Sequence, residues 1–194
     1  MTKEEADKIM RTPGETRGIS ISGDLKYVQL REGPERFKKL TDKMAELGYP
    51  VDPEMKSMDF CPLGLELLSL LLIKEIFDYK EEDFYEMGAF SSRMSLILRL
   101  FMKYFVSVTS IAGQASKIWK RYYSLGKFEI INVDEKNRVA VARLEGFKLH
   151  PLHCHNIRGY IANIIKMITD KPVYSRETKC PFRGDEYHEF EVKW

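Results

Sequence analysis

The sequence predicts a chain of the α+β class. Apolar residues recur with a period of about 3.6 from Pro62 to about Leu125, and the period falls to about 2 in two stretches flanking a last amphipathic helix. The chain has 194 residues and is 44% hydrophobic, enough for one domain with a buried core and too apolar for a disordered or collagen-like chain.

Thr2 to Met10 is predicted as a short helix stopped by Pro13-Gly14. Gly18-Ile-Ser-Ile-Ser22 and Lys26-Tyr-Val-Gln-Leu30 alternate apolar and polar residues around Gly23-Asp24, which predicts a β-hairpin. Pro34 to Leu47 follows as a helix with Phe37, Leu40, Met44 and Leu47 at helical spacing and Gly48 as its cap. The helix from Pro62 to Phe77 is apolar around most of its circumference, which predicts enclosure. Lys80-Glu81-Glu82-Asp83 opens a short helix ended by Gly88, and Phe90 to about Val108 and Thr109 to Leu125 complete the helical part. Phe128 to Val133 and Arg138 to Leu144 then form a hairpin, His150 to Thr169 a helix with an isoleucine stripe, and Val173 to Lys179 with Tyr187 to Trp194 a second hairpin. Residues 1–57 are expected to form an N-terminal arm, a hairpin plus a helix, and residues 58–194 the main domain.

Lys and Arg number 31 against 29 Asp and Glu, so composition gives no reason to expect nucleic acid as a partner. Three cysteines, Cys61, Cys154 and Cys180, are too few for a disulfide framework. With a polar N-terminus and an apolar run that charges interrupt at Glu66, Lys74 and Glu75, the expectation is a cytoplasmic protein without a membrane span. Cys61, next to Pro62 at a helix start, reads as a buried thiol.

All four histidines and two of the three cysteines fall in the last quarter of the chain. Cys154, Glu177, Cys180 and His188 offer thiolate, carboxylate and imidazole, a set able to close a tetrahedral zinc site. Glu177 and Cys180 are three apart on a strand and point to opposite faces unless the strand bulges. The alternative is two plain core cysteines, with His150, His153 and His155 as helix-capping or surface groups. No phosphate loop, nucleophile elbow or paired-carboxylate signature is present.

The run Trp119-Lys-Arg-Tyr-Tyr-Ser-Leu-Gly126, Cys154 with Gly159-Tyr160, and Glu177-Thr-Lys-Cys180 followed by Gly184 and His188 resemble the 4-vinyl-reductase domain. That family lies in a superfamily with haem-NO-binding sensors and TRAPP trafficking subunits. The resemblance spans Pro62 to Trp194. It implies helices packed on one face of an antiparallel sheet, a homodimer, and a structural zinc on Cys154, Glu177 and Cys180, with His188 standing where the family has a cysteine. Four protein ligands leave no open position for an activated water. Haem is disfavoured: the sensors use a proximal histidine on a long helix and a Tyr-x-Ser-x-Arg clamp, whereas no histidine precedes His150 here and Tyr174-Ser175-Arg176 has the wrong spacing.

Met94, Leu98, Met102 and Phe105, with Trp119 and Tyr122, form a stripe that lines either an apolar ligand cavity, as in similar domains, or only a core. The reading that follows is a small-molecule-binding or sensory domain, taking an apolar or aromatic ligand and signalling through a separate protein. A TRAPP-like scaffold is the alternative. An enzyme acting on a tetrapyrrole vinyl group rests on the family name alone, since nothing supplies a hydride-donor site.

Overall fold

The computed structural model describes residues 1–94 and 107–194. It opens with α1 (Lys3–Met10), where the Thr2 hydroxyl accepts from the Glu5 N–H and the Glu5 carboxylate accepts from the Thr2 N–H. This reciprocal cap contributes about 1 kcal/mol. β1 (Glu15–Arg17) follows and pairs antiparallel with β2 (Phe60–Pro62). Between them runs α2 (Gly18–Glu46), broken at Gly33, whose φ of 77° and ψ of 165° set Pro34 at the head of the second half.

The predicted hairpin around Gly23-Asp24 is therefore corrected to a helix. Ile21, Leu25 and Val28 are fully buried and obey the spacing of one helix face, so the helical period prevails over the short alternation. Gly23 is no turn residue. A Cβ there would stand 3.0 Å from Ser91 Oγ, so the glycine admits a neighbouring helix.

That neighbour is α4 (Glu81–Met94), which follows α3 (Leu63–Phe77). Ala6, Ile21, Leu25, Phe37, Leu40 and Met44 pack with Leu68, Leu72, Phe84 and Met87 in one core. Residues 1–57 thus share a core with the helices that follow them. α4 runs through Gly88 rather than ending there, because Gly88 serves a close helix crossing. A Cβ at Gly88 would lie 1.9 Å from the carbonyl oxygen of Asn156, and one at Gly159 would lie 1.9 Å from that of Tyr85. Both contacts join α4 to α7 (Pro151–Thr169).

Among the described residues the remaining helices before the sheet are α5 (Val108–Ala112) and α6 (Ala115–Tyr122). Most of the helix predicted from Phe90 to Val108, including Leu98, Met102 and Phe105, lies outside the described residues.

β3 (Lys127–Asp134), β4 (Val139–Glu145), β5 (Tyr174–Lys179) and β6 (His188–Lys193) form an antiparallel sheet in the order β3-β4-β6-β5. The two expected hairpins are joined through β4 and β6, with Ala142 opposite Phe190 and Leu144 opposite His188. Burial alternates along both strands: Ala140, Ala142, Leu144, Phe190 and Val192 are buried with Ile157, Ile161 and Ile165 of α7, and the intervening residues, among them Arg143, Glu189 and Glu191, make the other, more exposed face. The protein is α+β, with its helices on one face of the sheet. Among the described residues no helix is long and apolar enough to cross a membrane.

Candidate functional site

His150 caps α7, its Nδ1 accepting from the Leu152 N–H, and Pro151 supplies the first turn. Cys154 is buried one turn further on and faces the β5–β6 hairpin. At the end of β5 the register slips between Glu177 and Lys179, a bulge that brings Glu177 and Cys180 to one side. Cys180 precedes a 3-10 turn (Pro181–Arg183) closed by Gly184 at φ 97°, and its N–H donates to Asp185 at 2.7 Å. The chain then returns into β6 at His188.

The result is a cluster in which one ligand atom from each of Cys154, Glu177, Cys180 and His188 lies within 4.8 Å of the others. The two Sγ atoms are 3.9 Å apart, and Cys154 Sγ is 3.7 Å from His188 Nδ1. Tetrahedral zinc, with bonds of about 2.3 Å to sulfur and about 2.0 Å to nitrogen, separates its ligands by about 3.8 Å for S–S and about 3.5 Å for S–N. Both separations fit. His188 Nε2 lies 3.0 Å from the Phe147 carbonyl, which can only accept, so Nε2 carries the ring hydrogen. Nδ1 then faces the cluster, 2.7 Å from Glu177 Oε1. Burial, followed by the charge of Glu177, raises the Cys154 thiol pKa, and burial also raises that of Cys180. The metal-free cluster therefore holds thiols. Cys61, half-buried in β2, stands apart, and burial raises its pKa as well.

A second feature lies further along α7. A cavity of about 120 Å³ is bounded by Ile111, Ile118, Trp119 and Tyr122 on one side and by Ile157, Ile161 and Ile165 on the other. Trp119 and Tyr122 thus line it; Met94, half-buried at the end of α4, is not among its described lining residues. One end is polar, formed by Ser20, Asp24, Glu66, Ser91 and Asn156. Asp24 accepts from Ser91 Oγ at 2.7 Å and from Asn156 Nδ2 at 3.2 Å. Glu66 Oε1 accepts from the Tyr123 hydroxyl at 3.0 Å and lies 2.9 Å from His153 Nε2. His153 is therefore a buried partner of Glu66 rather than a surface or capping group.

This polar end escapes a reading of the sequence because Asp24 sits in an apparent turn and Glu66 in an enclosed helix. The available signal is Glu66 itself, an acid in the first turn of a helix otherwise apolar on nearly every side.

Burial, reinforced by the charge of Glu66, pushes the Asp24 pKa up to about 7. The folded state then holds this proton more tightly than the unfolded chain, whose carboxyl has the ordinary value of 3.8. Stability conferred by the proton is complete at low pH and declines as pH rises toward 7, by about 4 kcal/mol in total. Asp24→Asn removes this dependence. In paired urea titrations its stability relative to the parent is expected to rise by roughly 2–3 kcal/mol between pH 5 and pH 8.

Neither a protein-family model nor a curated protein sequence matches the chain. Solved structures do. An H-NOX protein from S. oneidensis in the Fe(II)NO ligation state superposes with a TM-score of 0.69 at 13% identity, covering 91% of this chain and 98% of that one. An unliganded Fe(II) H-NOX mutant from K. algicida gives 0.67 at 13% identity, covering 91% and 95%. The fold is that of the H-NOX proteins. The H-NOX fold accounts for nearly the whole chain, so it takes in much of residues 1–57 as well as the helices and sheet that carry the cavity and the cluster.

Proposed function

We propose that this chain is a small-molecule-binding sensory domain, pinned by a structural zinc on Cys154, Glu177, Cys180 and His188. It acts as a homodimer and passes its output to a separate protein. The observation that carries this reading is the cavity, an apolar chamber with one polar end in the middle of an H-NOX fold. Apolar walls with a few convergent polar groups are the usual form of a small-ligand site.

The H-NOX neighbours were solved with Fe(II), one of them with NO, and haem-NO-binding sensors share the superfamily that the sequence resembles. Among the described residues the cavity lining offers such a group no iron ligand. The described lining contains no histidine or cysteine, all four histidines lie at or beyond His150, and Tyr123, whose hydroxyl is near, is engaged with Glu66. Drug-sized ligands occupy pockets of about 300 Å³ or more, and a porphyrin lies within that class. The cavity is well short of this.

The reading is tested by filling the chamber. Ile161→Trp is expected to keep the fold while reducing the binding of small apolar ligands at least tenfold by isothermal titration calorimetry. Undiminished binding in that variant would place the ligand elsewhere and overturn the reading.

A further inference from the structure

The polar end of the cavity has an unequal supply of donors and acceptors. Glu66 and Asp24 both line it, and both are almost completely buried. Glu66 Oε1 is occupied by Tyr123 and His153, but Oε2 is buried with no hydrogen-bond partner among the described residues. Asp24 Oδ1 takes the Ser91 hydroxyl, and among the described residues Oδ2 has only the Asn156 amide, shared with Oδ1 at 3.2 Å. No lysine or arginine is among the described lining residues. His153, on Glu66 Oε1, is the one basic group hydrogen-bonded to the pair among the described residues. A buried carboxylate oxygen without a donor is costly, and a ligand that supplies the donor recovers that cost.

We propose that the cavity takes a small apolar amine, bound as its ammonium ion, whose N–H groups donate to Glu66 Oε2 and Asp24 Oδ2. The opposite charge chemistry does not fit: a carboxylate ligand would add another acid beside Asp24 and Glu66 in a desolvated site, where like charges repel strongly. The body of the ligand is limited by volume. An engineered apolar cavity of about 150 Å³ holds benzene. At about 120 Å³ the chamber suits a single ring or a short branched chain, resting on Ile118, Trp119, Ile157 and Ile161. The proposal rests on the reading of the domain as a small-molecule binder and names the chemical class of its ligand.

Four probes of matched shape test it by isothermal titration calorimetry on the full chain: benzylamine, benzyl alcohol, toluene and phenylacetate. Benzylamine is expected to bind at least tenfold more tightly than benzyl alcohol or toluene, and phenylacetate not to bind. Glu66→Gln and Asp24→Asn are each expected to erase most of the preference for benzylamine over toluene. Equal affinities for benzylamine and toluene, or tight phenylacetate binding, would overturn the amine assignment and leave the small-molecule reading standing. Binding of none of the four would overturn both. The probe series on the unaltered protein decides the matter even if neither variant folds.

Discussion

Protein purified without chelator is expected to carry one zinc per chain, and Cys180→Ser or Cys154→Ser to lose it. The expectation follows from four donors already gathered within 4.8 Å, with S–S and S–N separations that match a tetrahedral ion. A ligand that binds only the folded state and is present at a thousand times its dissociation constant adds about 4 kcal/mol to stability. For a domain of this length that corresponds to a fall of about 10 °C in the melting temperature on stripping the metal or removing a thiol. His188→Ala should do the same, since it also removes the hydrogen bond to the Phe147 carbonyl. Because burial raises both thiol pKa values, metal binding must release protons, so affinity is expected to fall as pH falls. Elemental analysis and thermal scans with and without chelator make the measurement. An absence of zinc, together with rapid alkylation of both thiols in the folded protein, would defeat the metal assignment.

The grouping of the four residues was legible in the sequence and the cavity's polar end was not, and the difference is physical. Cys154, Glu177, Cys180 and His188 belong to a helix start and a hairpin whose periods are clean, and the only geometric demand was a strand irregularity, which the slipped register between Glu177 and Lys179 supplies. Asp24 was hidden by a local ambiguity. Two five-residue runs that alternate apolar and polar can also, with Leu25 between them, place Ile21, Leu25 and Val28 on one helix face, and the choice is made by what they pack against. The Gly23-Asp24 pair that resembles a turn is instead a close helix approach beside a buried acid, and both features depend on Ser91, sixty-odd residues away in sequence. Gly88 misleads in the same way. A glycine that admits another backbone and a glycine that ends a helix are the same letter in one sequence.

That crossing sets the largest structural effect expected in the domain. Gly88→Ala would place a methyl 1.9 Å from the Asn156 carbonyl oxygen, and Gly159→Ala one 1.9 Å from that of Tyr85; in both cases the obstacle is backbone, which no side-chain rotation relieves. α4 and α7 must then separate along a contact that also holds the buried bond from Asn163 to Ser92 at 2.7 Å and the Asp24–Ser91–Asn156 bonds. Overpacking alone costs about 1–3 kcal/mol, and the strained or broken buried hydrogen bonds raise the expected loss to at least about 3 kcal/mol for either variant. Gly113→Ala provides the control, since its φ is −64° and the nearest atom to an added Cβ is 3.9 Å away, so its urea midpoint should match the parent. The consequence reaches function because α7 carries Cys154 at its N-terminal end and Asn156, Ile157 and Ile161 along the cavity. Displacing α7 from α4 therefore moves a residue of the proposed zinc site and a cavity wall together. In a Gly88→Ala protein that still folds, zinc retention and small-ligand affinity should both decline, whereas a variant that loses stability but keeps both at parental levels would show that the crossing does not position the site.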